Sequence, residues 1–133
     1  MSPRSLELEV VTPDGVALRE SEVELVVFHR RELGFDPGSE IAIFPLHGRL
    51  LVQIAVAPAR FLKGGQTVHL ALRGGFAQVL QDQVLIVTPR LELVSPAEAN
   101  PPAVAREVCR RWRGEVVDLQ EELVGYLEPG SPA

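Results

Sequence analysis

Through the first two thirds of the chain, apolar and polar residues alternate with a period of two. Leu6, Leu8 and Val10 alternate with Glu7 and Glu9, the pattern of a strand with one buried and one wetted face. Pro13-Asp14-Gly15 follows as a turn, with proline setting φ at one corner and glycine accepting positive φ at the next. Val16 to Leu18 returns, and Val23, Leu25 and Val27 then alternate with Glu22, Glu24 and Val26. Residues 29–39 break every period and read as a loop, long for a compact domain and suited to contact. Ile41 and Ile43 alternate with Ala42 and Phe44 until Pro45, which cannot donate to a sheet ladder, stops the strand. Leu50 to Ala57 is a long apolar strand closed by Pro58. Arg60 to Lys63 leads into Gly64-Gly65, a hairpin signal, and Thr67 to Leu72 returns. Gly74-Gly75 separates two strands at a bulge or bend where the chain changes sheets. Phe76 to Leu80, a Gln81-Asp82-Gln83 turn and Val84 to Thr88 complete the series. This mainly-β pattern predicts an antiparallel β-sandwich or flattened barrel of eight to ten short strands over residues 1–94.

Residues 95–133 carry a different period. Ser95-Pro96-Ala97-Glu98 has capping-box spacing, but Asn100-Pro101-Pro102 ends that turn, because a residue before proline is pushed out of the helical region. From about Pro102, Val104, Val108, Trp112, Val116, Leu119, Leu123 and Leu127 form one apolar helical stripe. Arg106, Arg110, Arg111 and Arg113 precede Glu115, Asp118, Glu121 and Glu122, so one continuous helix opposes its macrodipole at both ends. A break at Gly114 removes that conflict, although the stripe passes through it in phase. One or two short helices are therefore expected, two with a break or kink at Gly114 being favoured, followed by a frayed tail from Pro129 to Ala133.

Composition narrows the function classes. The 133 residues suffice for one real core and a small appendage. A net charge of −5 argues against nucleic-acid binding, which needs a basic face. The single cysteine, Cys109, leaves no disulfide partner and no multi-cysteine metal site, and points to a reducing compartment. Neither a signal-peptide core nor an apolar run long enough to span a bilayer is visible, so a soluble intracellular chain is expected.

Candidate chemistry concentrates at Glu40 to Leu50, a strand-end acid followed by a turn carrying His47. That corner supplies no nucleophile, metal cluster or phosphate loop and suits contact with a partner. Read from the residues alone, Glu40 is a solvated acid, His47 a histidine in a polar turn, and Arg110-Arg111 a solvated face. His29 and His69 read as surface residues, Cys109 as partly buried, and Trp112 as core.

Four stretches in order carry a resemblance. These are Leu8 to Gly15, Glu40 to Leu50, Gly74-Gly75-Phe76-Ala77-Gln78-Val79, and Gln81 to Val87. Together they resemble the epsilon subunit of F-type ATP synthase, called delta in mitochondria. The resemblance implies a β-sandwich of about ten strands followed by a two-helix region, a non-catalytic subunit of the central stalk that turns with the rotor. It links the gamma subunit to the membrane c-ring and couples ion translocation to ATP synthesis. It also implies a peripheral place on the cytoplasmic side of the inner membrane. Glu40 matches the acidic position facing the polar loops of the c-ring, and His47 the histidine of the Pro-Gly-His turn near gamma. Arg110 and Arg111 then meet an acidic partner surface, with contact to the catalytic alpha and beta subunits through the helical region and weak regulation of ATP hydrolysis. This chain departs from the family in its longer loop before Glu40, in Pro45-Leu46-His47 for Pro-Gly-His, and in Arg49 for the usual proline. Some members bind ATP through an Ile-Asp-x-x-Arg-Ala sequence; Asn100 to Arg106 does not supply it, so no cofactor is expected. The alternative reading is a free-standing β-sandwich binding module that self-associates through its helical tail. A small hydrolase ranks last, because no ordered triad or paired carboxylates occur.

Overall fold

A computed structural model describes residues 4–33 and 37–127, with side chains as far as Glu115. Its strands are β1 (Leu6–Thr12), β2 (Gly15–Val23), β3 (Leu25–His29), β4 (Glu40–Ile43), β5 (Leu50–Lys63), β6 (Gln66–Leu80), β7 (Gln83–Val87) and β8 (Leu91–Leu93). They run in the order β2-β1-β7-β6-β5-β3-β4, with β8 also on β6. All pairs are antiparallel except β1 with β7.

The sandwich arises because β5 and β6, 14 and 15 residues long, each serve both layers. In β6, Leu70 and Leu72 point into the core and Ala71 points out. Beyond the bend the parity switches, so that Ala77 and Val79 point in and Phe76 is exposed. Gly74 and Gly75 make this switch at φ 73° and 113°. A Cβ on Gly75 would lie 1.9 Å from the Val87 carbonyl oxygen, so only glycine fits. The two glycines thus bend one strand rather than separate two.

Pro58 likewise lies inside β5, opposite Ala71, and does not close the strand. Its missing N–H is tolerated because β3 flanks β5 only along 60–62, and the next flanking bridge is Arg30 to Ile54. Two expected strand breaks are therefore continuous chain, and the eight described strands lie within the expected eight to ten. At the boundaries, Val23 belongs to β2 and His29 to β3. Gly64 and Gly65, both at positive φ, form the expected two-residue hairpin between Lys63 and Gln66.

Leu6, Leu8, Val10, Phe28, Ile43, Ile54, Phe61, Leu72, Val84 and Ile86 fill the interior. A second cluster lies outside it, where Val108, Cys109 and Trp112 cover Ala71 and Val56. Those three come from α1 (Pro101–Leu127), which starts at Asn100, whose Oδ1 accepts from the Ala103 N–H at 3.4 Å. The buried helical face also takes in Ala105.

The helix passes through Gly114 without a break, so of the one or two helices expected there is one, and the favoured break at Gly114 is corrected. Gly114 does not adopt positive φ, and the space where a side chain would sit is open. Glycine there costs about 1 kcal/mol against alanine, and the opposed dipole about as much again. Burial of Trp112 outweighs both. The misplaced charges also find local partners: Arg110 pairs with Glu107, Glu115 with Arg73, and Arg113 donates to the Val56 carbonyl at 2.7 Å. The tail after 127, and the side chains of Val116 to Leu127, lie outside the described residues.

Candidate functional site

Glu40 opens β4 and His47 sits in the turn after it, so the strand holds them at opposite ends of the corner. Glu40 pairs across the ladder with His29. Its Oε1 accepts from Arg60 Nη1 at 2.9 Å and lies 3.7 Å from His29 Nε2. The Arg60 hydrogen bond holds the Glu40 carboxyl below its ordinary range. Glu40 is half exposed and already partnered. The long loop before it is tied at its base: Arg30 N–H donates to Ser39 O, Gly38 N–H to Arg30 O, and His29 Nδ1 to Gly38 O at 2.9 Å. That last bond places the His29 proton on Nδ1 and leaves Nε2 toward Glu40.

The turn at 44–48 is strained. Leu46 lies at φ 69°, a left-handed conformation that costs a branched residue about 1–2 kcal/mol. The resemblance implies glycine at this position. Asp82 holds it there, its Oδ1 accepting the Leu46 N–H at 2.6 Å while Oδ2 accepts from Arg4 Nε at 2.6 Å. Asp82 and Gln81 are themselves left-handed, at φ 61° and 50°, in the tight turn between β6 and β7. The Leu46 N–H, and then Arg4, hold the Asp82 carboxyl below its ordinary range. His47 closes the turn by donating its N–H to Phe44 O, and its Nδ1 meets Gly48 O at 2.7 Å.

Beside this turn lies an apolar strip on the outer face of the β1–β7–β6 layer. Register places Val11, Val87, Phe76 and Gln53 in one row, and Glu9, Leu85, Gln78 and Leu51 in the next. Leu51 is 74 % exposed, Phe76 52 % and Val87 47 %, and in the turn Phe44 and Leu46 are 57 % and 69 % exposed. Exposed apolar side chains on one sheet face, interleaved with Glu9, Gln53 and Gln78, suit contact with another surface.

The helix presents Arg110 and Arg111 to solvent. Arg110 grips Glu107 with two bonds, at 3.0 and 2.6 Å, holding the Glu107 carboxyl below its ordinary range. Among the described residues, Glu40, His47, Arg110 and Arg111 make no hydrogen bond or ion pair with one another. His47 lies in the turn after β4, whereas Glu40 lines a groove of about 490 Å3 under α1. Asp82, Arg60 and the strip escaped the sequence reading. One signal was present: Val84-Leu85-Ile86-Val87 is apolar on both faces, the pattern of a strand covered on both sides, yet only one side is covered here.

Among the described residues no group of three or more histidine, cysteine or acidic side chains converges as a metal site. Cys109 is buried, which pushes its thiol up to about 11. Among the described residues no helix is long and apolar enough to cross a membrane. Fold and surface together define a β-sandwich with a helix over one face and exposed apolar side chains on the other.

Residues 5–94 match the family described as ATP synthase, Delta/Epsilon chain, beta-sandwich domain. An ATP synthase epsilon chain of Shouchella clausii is 33% identical over 115 residues, covering 86% of this chain and 81% of the relative. One of Alkalihalophilus pseudofirmus is 32% identical over 103 residues, covering 77% and 72%. In fold, the chain is similar to one in the Euglena gracilis mitochondrial ATP synthase OSCP/F1/c-ring structure, with TM-score 0.61 at 18% identity over 100% of this chain and 71% of that one. It is also similar to one in the Tetrahymena thermophila central stalk and c-ring structure, with TM-score 0.55 at 14% identity, covering 92% and 98%. The chain belongs to the delta/epsilon family of ATP synthase subunits.

Proposed function

We propose that this chain is a central-stalk subunit of a rotary ATP synthase, performing no chemistry of its own and transmitting torque through fixed interfaces. Its sandwich, residues 1–94, is the coupling domain, and residues 95–133 form an accessory helical region. The single observation that carries this reading is the bare apolar strip of Leu51, Phe76 and Val87 beside the strained turn at Leu46 and His47. A rigid, well-packed sandwich with one unfinished face suits a joint that carries torque better than a pocket enzyme.

In this reading the strip and His47 meet the gamma subunit. Glu40 lies at the other end of β4, where it faces the polar loops of the c-ring while Arg60 fixes its rotamer. Arg110 and Arg111 reach toward the acidic surface of the catalytic subunits. The subunit then sits peripherally on the cytoplasmic side of the membrane.

The test is affinity capture of the tagged chain from detergent-solubilised membranes of its own host, read by mass spectrometry. Recovery of gamma, alpha, beta and c subunits is expected, and Phe76→Asp should lose gamma while keeping the fold. His47→Ala and Glu40→Ala should weaken coupled proton pumping with the isolated sandwich intact. Recovery of the chain alone, or unchanged capture by Phe76→Asp, would overturn the assignment.

A further inference from the structure

The groove under α1 carries more positive charge than its walls neutralise. Its floor is the outer face of β4, β3, β5 and β6, where register sets Glu40 beside His29 and Arg60 beside His69. Its roof is α1, which contributes Pro102, Arg106 and Arg113. Three guanidinium groups and two imidazoles share this cavity with one carboxylate, Glu40, which Arg60 Nη1 already engages at 2.9 Å. Arg113 donates to the neutral Val56 carbonyl, so its charge is not met there. Among the described residues Arg106 makes no ion pair. Burial, and then the charge of Arg60, push the His69 imidazole below its ordinary 6.5, as a partly dry and positive site requires.

We propose that this groove binds a small di- or tricarboxylate, held between Arg60 and His69 of the sandwich and Arg106 and Arg113 of the helix. Three features select that class of anion. A guanidinium presents a planar fork that matches a carboxylate, and the groove already holds one carboxylate in this way, Glu40 on Arg60. Phosphate sites draw instead on free backbone N–H groups at a helix start. The start of α1 has none to offer: Pro101 and Pro102 lack the N–H, while those of Ala103 and Val104 are taken by Asn100. Pro37, Pro58 and Pro102 add apolar lining, which suits a short carbon chain between acid groups. A second acid group lets one ligand answer both floor and roof. The site depends on the groove alone and stands whether or not the apolar strip meets gamma.

The test is isothermal titration calorimetry of the purified full chain at pH 7.5 and fixed ionic strength, with citrate, acetate and inorganic phosphate as titrants. Saturable one-to-one binding of citrate is expected, with acetate and phosphate weaker by about tenfold or more. Arg106 is exposed, so Arg106→Gln should fold normally and weaken citrate by about tenfold, the loss of one charge-assisted pair. Glu40→Gln removes the resident carboxylate and should tighten citrate several-fold, a gain that damage to the fold does not produce. Arg19→Gln, on β2 and outside the groove, should leave citrate binding unchanged. Absence of saturable heat from citrate, phosphate binding as tightly as citrate, a Kd that neither Arg106→Gln nor Glu40→Gln moves, or an equal loss in Arg19→Gln would overturn the site.

Discussion

The two outer faces of the sandwich are finished in opposite ways. On the β4–β3–β5–β6 face the chain covers itself: α1 buries Ala71 and Val56 under Trp112, and Arg113 caps the Val56 carbonyl that the interrupted β3 ladder leaves free. On the β1–β7–β6 face, among the described residues, nothing in the chain covers Leu51, Phe76 and Val87. Both faces carry apolar side chains, so composition alone does not account for the difference. The covered face uses a helix for its own stability. The bare face keeps its apolar area free and adds a strained turn beside it, an arrangement expected where stability gives way to contact.

The sharpest way to break this comparison is at the bend the two faces share. Gly75→Ala should destabilise the whole sandwich by about 4 kcal/mol, combining forced displacement of the Val87 carbonyl with the cost of positive φ. Chemical denaturation should then show both faces failing in one transition; two separate transitions would mean that the layers do not share one core. Trp112→Ala comes next, at about 3 kcal/mol lost from helix docking. Limited proteolysis should cut α1 while the sandwich survives. Cleavage throughout the sandwich would show that the covered face is an integral part of the core.

Much of this architecture was legible in the residues, because strand alternation and glycine turns are local signals. The hairpin at Gly64-Gly65 and the sheet change at Gly74-Gly75 are both where the pattern put them. The errors came where a tertiary contact overrode a local rule. Pro58 reads as a strand end until the missing β3 flank is known. Gly114 reads as a helix end until Trp112 is seen to dock on Ala71. The candidate site was less legible. Glu40 stood out by type and position, but Arg60, its partner across twenty residues, did not. His29 and His69 looked like unrelated surface residues until the register and the helix placed them in one groove.

A smaller change sharpens the comparison from the bare side. Leu46→Gly should stabilise the isolated chain by about 0.5–1 kcal/mol, since relief of the left-handed strain exceeds the added freedom of glycine in the unfolded chain. Leu46 is mostly exposed, so little burial is lost. Assembly should weaken in the same variant, as the proposed contact loses an apolar knob. A thermal midpoint that falls instead would show that Leu46 is there for folding.

The smallest expected effect tests the turn on the bare side by pH. Asp82 carries its charge in the folded state more readily than in the unfolded chain, because it accepts the Leu46 N–H and pairs with Arg4. A depressed carboxyl contributes stability above its ordinary value of 3.8 and loses it as pH falls toward and through the folded value. Hydrogen exchange at the Leu46 amide should therefore hold constant from pH 7 to about 4, after correction for intrinsic rates, and quicken below that. Asp82→Asn keeps an acceptor but no charge and should exchange faster throughout, with little acid dependence left. Protection of the Leu46 amide that stays unchanged into the acid range in the native chain would show that the Asp82 carboxylate does not hold the turn.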